Sequence, residues 1–558
     1  MVRTGRSLAL RTSESAGVSS LVAPAIAALL TVVVIAAGWR GADWPAQVFR
    51  IEMFRSEGIT VWNNHWYGGH HSLGYSVLMP PIGSVLGPSV VAVLSAVVAT
   101  AAIESLLFRL RAGRSAVLVG SSLFAVGFVA NVAVGRLAFM LGVAVALCAL
   151  VCWARSRLGC AIALAALSGL ASPVAALFLA IVAGGCSLVT WRSARDIVRF
   201  GDVRGQGPLL GLAAMGPVIV IAVVFPSGGT FPFALGGFLI SLLALGATYV
   251  ASDRSDRELH AVVLISLLAT VGAIVMSTPV GGNVARLPMF FALPVITALT
   301  WCSRRWAVPV AAAVLLGWAW AAASDAVLWA AEDPTSDAAF FQPMIDAVLA
   351  DAGGPARVEI PFTRRHWEAA YVAPELPLAR GWERQLDRRV NPVFYDDDGL
   401  TALDLHVWLR DTAVQYVALP DAELDPSAKD EAELLDRGLP YLDLVWENDD
   451  WRVWRVLHSE SLIEGPAELV DLTADGIVLD VRRAGEVTVR VRYSPHWTVE
   501  GPTCVREDLD DGWTILEVAD AGRLEMTISP SALAGVSDAT ADGCDEPESD
   551  EPGTDDGS

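Results

Sequence analysis

The chain has 558 residues, of which 54% are hydrophobic, and a formal net charge of -22. Its apolar residues come in blocks of membrane-crossing length, which excludes an ordinary soluble protein, and no basic footprint for nucleic acid is present. Most of the excess acid follows about residue 324, so an apolar half precedes an acidic one.

The first apolar span, 18–39, follows Arg3, Arg6 and Arg11. Its core is long enough to cross a bilayer, so it reads as a retained helix rather than a cleaved signal peptide. Further spans at 85–108, 115–134, 137–154, 159–171, 173–191, 208–225, 231–251, 259–277, 286–302 and 306–323 bring the count to about eleven. Arginines mark alternate connections: Arg109, Arg111 and Arg114; Arg155 and Arg157; Arg192, Arg195, Arg199 and Arg204; Arg254 and Arg257; Arg304 and Arg305. All fall on the side of the N-terminus, which the positive-inside rule makes cytoplasmic. The expectation is a multi-pass protein of the cell (plasma) membrane, N-terminus cytoplasmic and C-terminus extracytoplasmic. Ser172-Pro173 divides 159–191 into two pieces, read as a helical hairpin; a single kinked span would reverse the sidedness of everything downstream.

Between the first two spans lies 41–81, too long and too polar for a plain connector. Long loops carry function more often than short ones. On the same side, Arg136 and Arg286 break the positive-inside rule, each at the mouth of a span. They read either as snorkelling anchors or as donors that grip a ligand's phosphate.

Beyond the spans, the expected organisation is a cytoplasmic N-terminus (1–17), a transmembrane domain (18–323), an extracytoplasmic α/β domain (324–460), an extracytoplasmic β-sandwich (461–535) and a disordered acidic tail (536–558). The α/β reading rests on strands at 356–361, 414–420, 442–446 and 451–456 alternating with helices at 403–413 and 427–437. The sandwich reading rests on period-two segments such as EVTVRVRYS and WTILEV. Five of the seven cysteines sit in apolar spans; Cys504 and Cys544 fall outside, where a disulfide between them is one possibility.

Candidate chemistry gathers in the first loop. Asp43 immediately follows the first span, and reads either as a carboxylate whose basicity the apolar boundary raises or as a solvated interfacial acid. Glu52, Trp62, His65, Trp66, Tyr67, His70 and His71 follow as candidate substrate-binding residues. The aromatics suit either an interfacial belt or stacking on sugar rings. The histidine spacing matches no standard metal site, so no metal is assigned, though a divalent ion on adjacent histidines stays open.

An acidic residue just past the first helix, a first loop ending in Trp62-x-x-x-x-x-Gly68-Gly69 and the Pro80-Pro81 start of the second span resemble the GT-C superfamily of polytopic membrane glycosyltransferases. Within it the chain is most similar to the YfhO-like and PTPS-related bacterial membrane proteins. Gly135-Arg-Leu-Ala-Phe139, the break at Ser172-Pro173, the 378–387 segment LARGWERQLD and Tyr493-Ser-Pro-His-Trp497 fit that likeness. The resemblance implies a GT-C-like α-helical fold and transfer of a sugar from a polyprenyl-phosphate donor to a cell-envelope glycan or glycolipid acceptor on the outer face, with membrane lipid as a further partner. It implies Asp43 as the catalytic base, with Arg286 and Arg136 on the donor phosphate. Where relatives carry a histidine soon after that aspartate, this chain has Gln47. Two competing readings are a transporter or lipid flippase and a non-catalytic envelope scaffold.

Overall fold

The computed structural model describes residues 20–110, 112–192, 206–329, 333–396, 398–499, 501 and 503–528. The expected N-terminal segment 1–17, the tail 536–558 and Cys544 lie outside the described residues. The helical half follows from composition. Long Ala, Leu and Val runs favour helix, and in lipid only helices or closed barrels satisfy every backbone group.

The chain runs through α1 (Val22–Ala36), α2 (Trp44–Glu57), α3 (Met79–Leu86), α4 (Pro88–Leu107), α5 (Arg114–Val134), α6 (Leu137–Ala154), α7 (Leu158–Ala171), α8 (Pro173–Arg192), α9 (Gln206–Val224), α10 (Leu235–Ala251), α11 (Arg257–Val275), α12 (Arg286–Thr300) and α13 (Ala307–Ala321). Among the described residues, six helical segments, at Pro88–Leu110, Arg114–Val134, Leu137–Ala154, Gln206–Val224, Arg257–Val275 and Gly281–Thr300, are long and apolar enough to cross a membrane. Five more apolar helices have only 10–17 residues. The eleven spans expected from hydropathy thus resolve into six helices of crossing length and five shorter ones. Ser172, extended between α7 and α8, is the break read from Ser172-Pro173, and Pro173 starts α8 where its missing N–H costs nothing.

The 41–81 stretch is folded rather than looped. It contains α2, a small hairpin of β1 (Trp62–Asn63) and β2 (His70–His71), and the start of α3. Asp43, at the N-cap of α2, donates its N–H to the Val134 carbonyl at 3.0 Å, and the Trp44 indole N–H reaches the Val132 carbonyl at 2.6 Å. These bonds clamp α2 to the end of α5. Gly135 makes the fit possible: its φ is +100°, and a Cβ there would stand 2.3 Å from the Trp44 nitrogen.

The remaining elements are α14 (Ser324–Trp329), α15 (Ala338–Ala352), β3 (Arg357–Glu359), α16 (Glu368–Tyr371), α17 (Arg384–Val390), α18 (Ala402–Asp411), β4 (Val414–Pro420), α19 (Lys429–Arg437), β5 (Leu442–Glu447) and β6 (Trp451–Val456). The sheet order is β3-β4-β6-β5, with β3 parallel to β4 and the other pairs antiparallel. Alternation along β4 feeds two cores. Tyr416 and Ala418 join Phe341 and Ile345 of α15; Val417 and Leu419 join Leu405 of α18 and Leu435 of α19.

Eight strands follow: β7 (Ile463–Glu464), β8 (Ala467–Leu472), β9 (Gly476–Val481), β10 (Gly485–Arg492), β11 (Trp497–Val499), β12 (Thr503–Glu507), β13 (Trp513–Val518) and β14 (Gly522–Ile528). They form two four-stranded sheets, β12-β13-β10-β7 and β11-β14-β9-β8. Both sheets contribute to one core, with Val487, Val489 and Leu516 from one and Leu479, Leu524 and Met526 from the other. Cys504 is disulfide-bonded.

Candidate functional site

The first-loop segment is the hub on which the other units dock. Toward the α/β unit, the Leu378 N–H donates to the His65 carbonyl at 2.8 Å, and the Tyr67 N–H to the Leu378 carbonyl at 3.2 Å. Toward the sandwich, the Asn64 N–H reaches the Ala474 carbonyl at 2.8 Å, and the Arg492 N–H the Gly68 carbonyl at 2.7 Å.

This docking corrects most of the substrate-binding residues expected from sequence. Trp62, Trp66 and Tyr67 are 2%, 0% and 3% exposed and offer no free ring face to a sugar. Trp66 stacks on Phe49 at 4.4 Å and donates to the Ala369 carbonyl, while Trp62 meets Trp497 edge-on at 5.6 Å. His65, His70 and His71 are also buried: His70 lies flat on Trp66, and His71 packs against Trp62, Phe225 and His496. Burial, with Arg50 nearby, pushes His70 down to about 3; burial, with His496 and His70 nearby, pushes His71 down to about 4. Both are neutral packing groups. Among the described residues, no three His, Cys, Asp or Glu side chains gather as a metal site. Glu52 is exposed on α2 and pairs with Arg55, so it too stands apart from the site.

Three expected residues do converge. The Arg136 Nε lies 3.5 Å from the Asp43 Oδ2, both side chains about one-fifth exposed. The buried Arg136 Nε makes no hydrogen bond. Arg286 opens α12 within electrostatic reach of Arg136, Asp43 and Tyr75. Its guanidinium stands 5.1 Å from the Phe139 ring centroid, and among the described residues it makes no hydrogen bond and no ion pair. One carboxylate thus faces two guanidinium groups, one of them without a counterion. A guanidinium so placed has donors to spare for an anionic group.

Four residues not singled out from sequence complete the surroundings. The Tyr75 hydroxyl accepts from the Gln47 Nε2 at 3.0 Å, and burial, with Asp43 nearby, pushes its phenol up to about 12. Arg50 lies 4.4 Å from the Tyr75 centroid and 5.5 Å from that of Trp382. It forms a buried ion pair with Glu383, whose carboxyl is pushed up by burial against the pull of Arg50. The Trp382 indole N–H donates to the Ala42 carbonyl, beside Asp43, at 2.5 Å. The one available signal was Trp382-Glu383 inside the 378–387 segment, but nothing in sequence ties it to a loop more than 300 residues earlier.

Beneath the cluster, an apolar cavity of about 190 Å³ runs between α4, α6, α8, α10, α11 and α12. Leu287 and Pro288, next to Arg286, line one end; Leu150, Cys186 and Glu258 line the other. From Ala175 to Cys186 the cavity follows α8 for roughly 16 Å of helix rise. The arrangement is a charged head site above an apolar slot.

No family model matches this sequence, and no curated protein is similar to it.

Proposed function

We propose that the protein is a membrane glycosyltransferase that takes a sugar from a polyprenyl-phosphate donor and passes it to a cell-envelope acceptor on the outer face. The observation that carries this reading is the pairing of an uncompensated Arg286, beside Asp43 and Arg136, with the apolar cavity that starts at Leu287. A phosphate on a long isoprenoid needs both features, and a soluble anion needs only the first. The topology belongs to the same proposal: about eleven spans, the N-terminus cytoplasmic, and the first loop with the C-terminal units outside.

In the reaction, the lipid chain occupies the cavity and its phosphate meets Arg286 and Arg136. The acceptor hydroxyl gives its proton to Asp43 as its oxygen bonds to the anomeric carbon. The bond from that carbon to the phosphate oxygen breaks, its electron pair leaves with the phosphate, and the two guanidinium groups stabilise the developing charge. Asp43 then releases the proton to solvent.

A carrier fits less well. Among the described residues, the most deeply buried acid of the helical half, Glu104, accepts the Ser20 N–H just ahead of α1 at 2.6 Å. One oxygen of Glu104 is tied to the backbone, and an ion relay needs a chain of such groups rather than one.

Two measurements test the proposal. By native mass spectrometry in nanodiscs, the wild type binds undecaprenyl phosphate in preference to undecaprenol, and Arg286→Ala weakens that binding at least about tenfold, the loss of one charge-assisted contact. Asp43→Asn keeps lipid binding but abolishes the envelope glycan that distinguishes cells with the gene from cells without it. Wild-type glycan in the Asp43→Asn strain eliminates the base, and equal binding of alcohol and phosphate eliminates the anion site.

A further inference from the structure

The aromatics that the sequence offered for sugar stacking are packed away, yet two other rings are only partly buried beside Asp43. Tyr75 comes from the first loop and Trp382 from the α/β unit. They meet edge to face, ring centroids 5.6 Å apart and planes at 89°. We propose that Tyr75 and Trp382 form a carbohydrate-binding corner that takes the apolar C–H face of a neutral sugar ring and is made jointly by the loop and the α/β unit. This deepens the transferase reading above and rests on it for the role of the bound ring.

Three features support a corner built for this ligand. First, the polar end of each ring is engaged inside the protein, that of Tyr75 as an acceptor and that of Trp382 as a donor. The Tyr75 hydroxyl is held by Gln47 at 3.0 Å, and the Trp382 N–H is spent on the Ala42 carbonyl at 2.5 Å. What the rings still offer is π surface, which suits C–H groups rather than charges.

Second, the rings are fixed before any ligand arrives. The Arg50 guanidinium backs both, at 4.4 and 5.5 Å from their centroids. Arg50 is itself fixed by Glu383, so binding freezes few rotamers. Because Glu383 balances Arg50, no net charge behind the corner selects an ionised sugar.

Third, the position is right for group transfer. Ala42 adjoins Asp43 in the chain, and Tyr75 lies within electrostatic reach of both Asp43 and Arg286. A ring held on the corner therefore lies near both the proposed proton acceptor and the proposed phosphate-binding cation. It also gives the α/β unit a part in the site rather than a remote accessory role.

The test uses saturation-transfer-difference NMR on the full-length protein in nanodiscs. The probes are methyl α-mannopyranoside, methyl β-glucopyranoside and methyl α-arabinofuranoside, with methyl glucuronide as the charged control. Ring C–H protons of at least one neutral glycoside should receive saturation, more strongly than those of the glucuronide. Tyr75→Leu and Trp382→Leu should each weaken binding roughly tenfold, the scale of one lost ring face, whereas Tyr75→Phe retains it. The proposal is overturned if no neutral glycoside receives saturation, or if the leucine variants bind as the wild type does. Should those variants fail to fold, a diazirine-bearing methyl mannoside cross-linked to the wild type decides the matter. Labelled peptides covering Tyr75 or Trp382 support the corner, and labelling elsewhere alone overturns it. Glycoside binding here together with an envelope glycan that is the same with and without the gene retires the transferase reading and leaves the corner standing; the reverse pair of results retires the corner alone.

Discussion

Replacing Glu383 by glutamine should be among the most damaging single changes outside the helical half. Arg50 and Glu383 are 5% and 7% exposed, and they join the first loop to the α/β unit across 333 residues of sequence. The buried Arg50 Nη1 already lacks a hydrogen-bond partner, so the guanidinium depends on that one carboxylate for its charge. Breaking a buried pair from one side costs about 3–5 kcal/mol, because the remaining charge stays desolvated. Three rings face Arg50, those of Trp66, Tyr75 and Trp382, and together they retain up to about 2 kcal/mol of cation–π attraction, which puts the expected loss near the lower end, about 3 kcal/mol. At roughly 2–4 °C per kcal/mol for a unit of this size, the midpoint of thermal unfolding should fall by about 6–12 °C. The double variant Arg50→Met/Glu383→Leu removes both charges at once. It should recover to within about 2 kcal/mol of wild type, the deficit being the lost cation–π contacts. The assay is thermal unfolding of Glu383→Gln and of the four proteins of the cycle, namely wild type, Arg50→Met, Glu383→Leu and the double variant, purified in one detergent and heated at one scan rate. A loss below about 1 kcal/mol for Glu383→Gln, or a double variant as unstable as the sum of its singles, would refute the reasoning.

The other predictions concern the hub. Folded His71 takes up a proton only near pH 4, whereas the unfolded chain does so near the ordinary value of 6.5. Its contribution is therefore complete above 6.5 and is lost as the pH falls toward 4, amounting to about 2 kcal/mol by about pH 5. His71→Phe fills the same apolar pocket and removes a buried nitrogen without a partner, so the stability gap between variant and wild type should widen by that amount on acidification; a gap independent of pH would sink the idea. Gly135→Ala should cost about 1–3 kcal/mol from backbone strain alone, and more from the clash with Trp44. The change should also expose the 41–44 segment to hydrogen exchange, and unchanged protection there would show that the clamp on α5 is unimportant.

Sequence reasoning reached some parts of this molecule directly. Apolar block length located the helices because helix formation in lipid is local: every backbone bond closes within the segment. Period-two alternation located β9 and β10 because each is covered differently on its two faces, and the apolar run at 414–420 located β4, which is buried on both. Asp43 stood out because it directly follows a span.

The loop aromatics show where that reasoning stops. A run such as Trp62 to His71 has the same composition whether it binds sugars or fills an interface, and only the docking of two later units decided for the interface. Neither the Trp382–Ala42 bond nor the Arg50–Glu383 pair leaves any local trace, because each partner is an ordinary residue in its own segment.

By itself, then, the sequence determined an apolar helical half, a strand-rich acidic half and a carboxylate just after the first span, since these follow from local periodicity and composition. The tertiary structure alone decided that Arg136 and Arg286 meet Asp43, that an apolar cavity begins beside Arg286, and that the available aromatic faces are Tyr75 and Trp382. Those facts depend on which helix ends and which loops pack together, and that choice is made by the shape and charge of surfaces far apart in the chain.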